Sequence, residues 1–503
     1  MEGSASLNPP IVMTRSGQVR GRVDQGITRF LGIPYAAPPL GEARFQPPRP
    51  PVPWEGVRDA TAPGPTAPQL HGAFPGLELT PVVGSGWRRG DDFLNVNVAT
   101  PDIAARGLPV LVFIHGGGFV GGSNDATVQD GTGFARSGVV CVALNYRLGV
   151  EGFLPIPGAP TNLGLRDQLA ALGWVRENIA AFGGDPTNVT VFGESAGAMS
   201  VANLMTSPLA KGLFRRAIVQ SGHGSMVRAP GSAARLVHQL ARRLGVTPDV
   251  EGFRRRTVEQ CLAALAKVSR PLSFLDLRDE RGLDAAFGLS RFLPVHGDDV
   301  LPEPPLEALA KGAGAEVELL IGTNAQEMNL YFVPTGVRRG IPGWLAALML
   351  SRSVRGARAI LDAYGLKKKG RRPGEALTEA MHDLVFRWPA RQFAAAHRGT
   401  THFYEFGWRS PACGGELGAC HGLELPFVFD TLASCTGPNG LVGSAPPQAL
   451  ADRIHRLWAG FATDGKLPWP EYDARTRQVC ALETGETFTD ASLPAERYLP
   501  RTP

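Results

Sequence analysis

The sequence predicts an α/β fold: a central, mostly parallel sheet flanked by helices, with helical insertions forming a cap over one edge. Three observations carry this expectation. Leu108 to Ile114 is a continuous apolar run fit for a central strand, and Val139 to Tyr146 reads as a second buried strand. Helical patterns alternate with such runs, the clearest being the amphipathic stretch Gly164 to Phe182. Between Asn188 and Met199 the chain reads NVTVFGESAGAM, which joins a buried strand, a glycine-flanked serine and the start of a helix.

Taken in order, residues 8 to 60 are short strands and turns crowded with proline, as in Arg44-Phe45-Gln46-Pro47-Pro48. Residues 61 to 90 are rich in proline and glycine with little periodicity, and read as a long surface loop near an opening. Phe93 to Val98 alternates as a strand, and the central run Leu108 to Ile114 is followed by His115-Gly116-Gly117-Gly118-Phe119. The strand Asn188 to Phe192 leads through the serine turn into a helix covering Ala198 to Met205. Ala217 to Gln220, Glu318 to Ile321 and His402 to Phe406 supply later strands. Residues 225 to 290 and 335 to 400 are helix-rich and form the expected cap. There is no internal repeat and no clean linker, so residues 1 to 503 are read as one domain.

Composition narrows the function. Charged residues make up 19% and hydrophobic ones 43% of the 503, a globular balance rather than a disordered or membrane one. The net charge of +5 is spread along the chain. Its densest cluster, Lys367-Lys368-Lys369-Gly370-Arg371-Arg372, precedes Pro373-Gly374 and reads as a solvated loop, so no nucleic-acid partner is expected. Met1 to Val12 lacks the pattern of a signal peptide, and Trp344 to Leu350, too short to span a bilayer, either lines a pocket or packs a helix, packing being the more frequent outcome. No membrane association is expected. The six cysteines form no C-x-x-C pair, which points away from a disulfide framework or zinc site and towards a cytoplasmic location. The sequon Asn188-Val189-Thr190 lies in a predicted buried strand and carries no weight.

Gly193-Glu194-Ser195-Ala196-Gly197 is a G-x-S-x-G elbow. Small residues two before and two after the serine let a strand turn sharply into a helix and project Ser195 Oγ from a strained backbone. A tetrahedral intermediate at that hydroxyl needs donors for its oxyanion. The glycines after Leu108 to Ile114 allow the N–H groups of Gly117 and Gly118 to converge on one oxygen, with Ala196 N–H as a third. Gly116, Gly118 and Gly121 also satisfy the dinucleotide pattern G-x-G-x-x-G, but the following Gly122-Ser123-Asn124-Asp125 is turn-like and residues 131 to 150 hold no acid. No cofactor and no metal are expected; His421 and Glu424 lack the second histidine of an inverted zinc motif.

The general base is expected to be a histidine following its acid in the chain. His382, His397, His402, His421 and His455 all qualify by order, and His421 has the most open setting, a glycine-flanked loop before Leu425-Pro426-Phe427. For the acid, Glu327 lies just past the strand Glu318 to Ile321, with Asp298 and Asp299 as rivals.

Over nearly its whole length the chain resembles the type-B carboxylesterase/cholinesterase family of α/β-hydrolases, and bacterial, especially actinobacterial, members most closely. The likeness rests on FLGIPYAAPPLGEARF at 30 to 45, DDFLNVNVATP at 91 to 101, VFIHGGGF at 112 to 119, FGGDPTNVTVFGESAGAMS at 182 to 200, IGTNAQEM at 321 to 328 and GACHGLELPFVFD at 418 to 430. The resemblance implies an α/β-hydrolase fold with Ser195 as nucleophile, Glu327 as acid and His421 as base, and Gly117, Gly118 and Ala196 as oxyanion donors. It further implies that Glu194 and Ser221 support the histidine and the acid. Phe93 stands where secreted animal members carry a disulfide cysteine, in keeping with a reduced setting, and Pro294 to Asp299 departs from the family's usual turn.

The expected activity is that of a serine carboxylesterase acting on small-molecule esters of short to medium acyl chains or aromatic groups, as a monomer or weak homo-oligomer. A hydrolase of carbamates, amides or bulky aromatic diesters on the same fold is the alternative. The family's non-catalytic binding members lack one or more triad residues, whereas all three are present here.

Overall fold

The computed structural model describes residues 9–70, 72, 74–270 and 275–499. In chain order its strands are β1 (Ile11–Thr14), β2 (Gly17–Arg20), β3 (Arg22–Asp24), β4 (Ile27–Pro34), β5 (Val57–Asp59), β6 (Asn95–Thr100) and β7 (Leu108–Ile114). They continue with β8 (Val140–Leu144), β9 (Gly184–Glu194), β10 (Arg216–Gln220), β11 (Glu318–Asn324), β12 (Thr401–Phe406), β13 (Gln478–Ala481) and β14 (Thr487–Thr489).

Among the described residues, eleven strands form one sheet in the order β14-β13-β12-β11-β10-β9-β7-β8-β6-β4-β3, and β1, β2 and β5 form a small second sheet. The pairs from β8 across to β13 are parallel, while β6, β4, β3 and β14 join antiparallel at the two edges. The parallel strands are the continuous apolar runs of the sequence. β8 is buried at every position, as expected for strands covered by helices on both faces.

The strand order places the site. From β7 the chain crosses to β8 on one side, and from β9 it crosses to β10 on the other. The crevice outside the carboxyl ends of β7 and β9 is therefore the switch point at which open α/β sheets bind ligands. Ile114 and Gly193 are register partners there, so the glycine loop after β7 and Ser195 after β9 emerge side by side.

Most predicted elements stand within a few residues of expectation. β9 begins earlier, at Gly184, with an irregularity in its pairing to β7 between Leu108 and Val110. The helix Leu163–Asn178 tightens into a 3-10 turn at Ile179–Phe182, which Gly183 ends at φ 90°. The helix Gly343–Ser351 buries Ala346 and Leu350 but exposes Trp344, Leu348 and Met349, so the apolar stretch packs through one face only. Lys367, Lys368 and Lys369 are exposed in a turn. Among the described residues no helix is long and apolar enough to cross a membrane.

The first turn after β8 is held by charge. The Arg147 guanidinium, with side-chain exposure of 1%, meets Asp167 at 0% on the helix Leu163–Asn178. Nε and Nη2 donate to the two carboxylate oxygens at 2.8 and 2.7 Å, and Arg147 N donates to Oδ2 at 3.0 Å. Replacing one partner leaves an uncompensated buried charge. Asp167→Ala is accordingly expected to destabilise the fold by about 3–5 kcal/mol, read as a fall in the urea midpoint.

Candidate active site

Ser195 sits at φ 57°, ψ −124°, between β9 and the helix Ala196–Thr206. Its N–H donates to Gln220 O of β10 at 3.0 Å, which ties the strained turn to the neighbouring strand. Both flanking glycines are sterically required. A Cβ on Gly197 would lie 1.9 Å from Ile114 O, and one on Gly193 would lie 2.5 Å from Gly197 C. The helix start beside Ser195 supplies unsatisfied N–H groups and the positive end of a helix dipole.

The glycine loop passes against this turn. A Cβ on Gly116 would stand 3.1 Å from Ser195 Cβ, and Gly117 and Gly118 take φ values of 105° and 63°, which glycine adopts without strain. Each carbonyl of the loop is tied. His115 O accepts from Tyr146 Oη at 2.9 Å, Gly116 O contacts His115 Nδ1 at 2.8 Å, and Gly117 O accepts from Val120 N and Gly121 N at 3.1 Å. Gly118 O accepts from Ser290 Oγ at 2.8 Å, and Phe119 O from Gly149 N at 2.7 Å. In a trans peptide the N–H points opposite to the C=O. Tying the carbonyls of Gly116 and Gly117 thus sets the direction of the next two N–H groups, those of Gly117 and Gly118.

His421 and Glu327 come together from loops 94 residues apart in sequence. His421 Nδ1 and Glu327 Oε2 are 2.7 Å apart, with His421 4% and Glu327 1% exposed. The other carboxylate oxygen accepts from Asn324 N–H at 2.7 Å, and His421 N–H donates to Glu327 O at 3.2 Å. The second ring nitrogen, Nε2, lies 3.1 Å from Glu194 Oε1 and has no hydrogen-bond partner among the described residues. The ring is flanked by Phe386 at 4.7 Å and Tyr331 at 5.6 Å between centroids.

A third carboxylate backs this pair. Glu424 accepts from Gln220 Nε2 at 3.0 Å and from Asn324 Nδ2 at 2.6 Å, and Trp458 Nε1 donates to Gln220 Oε1 at 3.0 Å. Burial pushes the Glu194 carboxyl up, reinforced by the Glu424 and Glu327 charges and opposed by His421. For His421, burial disfavours the imidazolium, but Glu194, the bond to Glu327 and the surrounding carboxylates outweigh it and raise its pKa. The Tyr331 phenol, which neighbours Ser195, is pushed up by burial and by Glu194 and Glu327.

The rival residues hold other posts. His382 Nδ1 accepts from Met328 N at 3.1 Å, His397 bonds Thr401 Oγ1 and Gly314 O, and His455 bonds Ser137 Oγ and Val428 O. His402 stacks edge-on against Trp469. Asp298 accepts from Asn162 Nδ2 and from the N–H groups of Val300 and Leu301, and Asp299 pairs with Arg166. Ser221, at φ 53°, donates its N–H to Gly322 O at 2.9 Å. Its hydroxyl has no hydrogen-bond partner among the described residues, so its tie to the site runs through backbone.

Ser195, Ala196, Gly117, Gly118, Glu194 and His421 all face one cavity of about 420 Å³. Residues 61–90 contribute Leu70, Phe74, Leu79 and Val82 to its wall, and the cap segments contribute Met226, Leu265, Leu289 and Phe386. Glu194 and His421 are the titratable groups of acid–base range in this lining apart from Tyr331, so the chamber suits a neutral, apolar molecule. A larger groove of about 1180 Å³, lined by Arg391, Arg398 and Arg477, lies away from Ser195.

The sequence model of the carboxylesterase family matches residues 8–498. The chain belongs to the carboxylesterase family. It is 37% identical over 491 residues to a para-nitrobenzyl esterase of Bacillus subtilis, covering 95% of this chain and 96% of that one. It is 33% identical over 512 residues to a phenmedipham hydrolase of Pseudarthrobacter oxydans, covering 97% and 98%. A solved PNB esterase superposes with a TM-score of 0.83 at 35% identity, covering 98% of this chain and 100% of the other. This carboxylesterase is therefore a carboxylic ester hydrolase with an α/β-hydrolase fold.

Several residues of the site escaped sequence reasoning. Tyr331 follows Glu327 at helical spacing, a signal that was available. Glu424 enters the sequence reading only through a zinc motif that it fails to complete, and its bonds to Asn324 and Gln220 exist only in the fold. Phe386 and Ser290 lie in the helix-rich insertions, where nothing local marks a pocket residue; Phe386 sits on a π-helical turn, Asp383–Arg387, that only the structure reveals.

Proposed function

We propose that this carboxylesterase hydrolyses neutral esters of short to medium acyl chains or aromatic groups, with Ser195 as nucleophile, His421 as base and Glu327 as its orienting acid. The observation that carries the reading is the 2.7 Å bond between Glu327 and His421 Nδ1, which leaves Nε2 as the ring nitrogen free of that bond on a histidine that lines the same cavity as Ser195. Ser195 Oγ attacks the ester carbonyl as His421 Nε2 takes its proton, and the N–H groups of Gly117, Gly118 and Ala196 receive the oxyanion. Collapse of the tetrahedral intermediate expels the alcohol, which takes the proton from His421. Water then attacks the acyl-enzyme with the same histidine as base, releasing the acid and Ser195. Glu194 adds negative charge beside the imidazolium, and Ser221 braces the end of β10 against β11 through its backbone.

A series of p-nitrophenyl esters tests the substrate class. Turnover is expected with acetyl to medium-length acyl chains and to collapse when the acyl group carries a carboxylate, since Glu194 borders an apolar chamber. Equal turnover of the anionic ester would contradict this reading. Hydrolysis of carbamates, amides or bulky aromatic diesters by the same residues is the second reading, supported by the relative named for phenmedipham. The buried core running from Val12 to Ala495 supports one domain, and the six unpaired thiols suit a reducing, cytoplasmic setting.

The same reading gives a pH dependence. His421 acts as base only after losing its proton, so kcat/KM rises with pH through the imidazolium titration. Glu194 and Glu327 raise that pKa, and removing one negative charge lowers it. In Glu194→Gln the ascending limb is expected to move down by roughly one pH unit. An unmoved limb would show that Glu194 exerts no charge on the base.

A further inference from the structure

We infer that Ser290, presented by the cap, is a positioning residue that locks the glycine loop in its oxyanion-binding form. The inference rests on the assignment of Gly117 and Gly118 as oxyanion donors.

Of the five tied carbonyls of that loop, those of His115, Gly116, Gly117 and Phe119 are held by Tyr146, by the loop itself or by Gly149. Gly118 O alone among these is held from the cap, by Ser290 Oγ at 2.8 Å across 172 positions of sequence. At φ 63°, with no atom within 4 Å of the position a Cβ would take, Gly118 borders open space on that side. Gly117 O sets the direction of the Gly118 N–H from one side, and the peptide that Ser290 holds leaves the same Cα on the other, so the cap bond fixes where that donor stands in the loop.

The hydroxyl is itself held in place. Phe292 N–H donates to Ser290 Oγ at 3.2 Å, and the single hydroxyl proton is shared between Gly118 O and Phe292 O, 2.8 and 2.9 Å away. Behind it, the buried guanidinium of Arg228 donates to Ser290 O at 3.1 Å and pairs with Asp284 at 3.1 Å. The cap loop is thus anchored by an ion pair whose members are 3% and 5% exposed at the side chain. A solvated loop needs no such anchor; a loop that must hold one hydroxyl against a catalytic backbone does.

The test compares Ser290→Ala, Ser290→Thr and Gly117→Ala with wild type, using an ester substrate and a trifluoromethyl ketone whose adduct places an oxyanion in the hole. Ser290→Ala is expected to lower kcat and the affinity for the ketone together, by about five- to tenfold, with KM unchanged. Ser290→Thr, which restores the hydroxyl, recovers both. A residue that only packs the cap would change KM or melting temperature and leave ketone affinity in step with KM. Wild-type kcat and ketone affinity in Ser290→Ala, or equal losses in the alanine and threonine variants, overturns the proposal. Gly117→Ala, whose Cβ would stand 2.2 Å from Gly121 O, separates the two readings. If it keeps full kcat, the fixed loop geometry that the oxyanion assignment requires is not needed and the Ser290 proposal falls with it; if it loses kcat while Ser290→Ala does not, the lock alone is wrong.

Discussion

Ser195→Ala is expected to lower kcat for p-nitrophenyl esters by roughly four to six orders of magnitude while leaving the urea midpoint close to that of wild type. The size of the loss follows from covalent catalysis. Without Oγ there is no acyl-enzyme, and the remaining oxyanion donors and binding surface act only on direct attack by water. The fold is expected to survive because the constraints on the turn are backbone constraints. Ser195 N–H still meets Gln220 O, and Gly193 and Gly197 still admit Ile114 O. Alanine must adopt φ 57° as serine does, at a similar cost of strain. Measured esterase activity within tenfold of wild type, after removal of contaminating enzyme, would place the nucleophile elsewhere.

Glu327→Gln is the second large effect, and its direction comes from a single neighbouring bond. Glu327 Oε1 accepts from Asn324 N–H at 2.7 Å, so a glutamine is driven to place its carbonyl there and its NH₂ against His421 Nδ1. Nδ1 then accepts instead of donating, and the ring proton moves to Nε2, the nitrogen that must take the proton of Ser195. A loss of about 10³ to 10⁴ in kcat is expected, with KM little changed, because the ring stays in place in the wrong tautomer. Glu327→Asp, too short to keep both bonds, also loses activity. If Glu327→Gln retains most of the wild-type kcat, the carboxylate is not what orients the base.

The parts of the site that were legible in the sequence are those made by short segments. Gly193 to Gly197 dictates its own geometry, because a Cβ at either end would collide with the carbonyl of Ile114 or the turn itself. The glycines after β7 are similarly self-explanatory. His421 and Glu327 were less so. Spacing left five histidines and three acids in play, and only the register of β11 and the loop after Glu416 brings one pair to 2.7 Å. Family resemblance had selected the same pair, but on likeness rather than contact. Ser221 shows the converse: its neighbours match the family, yet its hydroxyl bonds neither His421 nor Glu327. Ser290 was illegible. A serine in an insertion acquires meaning only when the chain folds back 172 residues onto Gly118.

Peptide mass mapping after treatment with diethyl p-nitrophenyl phosphate identifies the nucleophile, since the phosphoryl group stays on whichever hydroxyl the base activates. One diethylphosphoryl group per chain is expected, on the peptide bearing Ser195, with no label in Ser195→Ala. Stoichiometric label on another residue, or unchanged labelling of the alanine variant, would contradict Ser195 as the nucleophile.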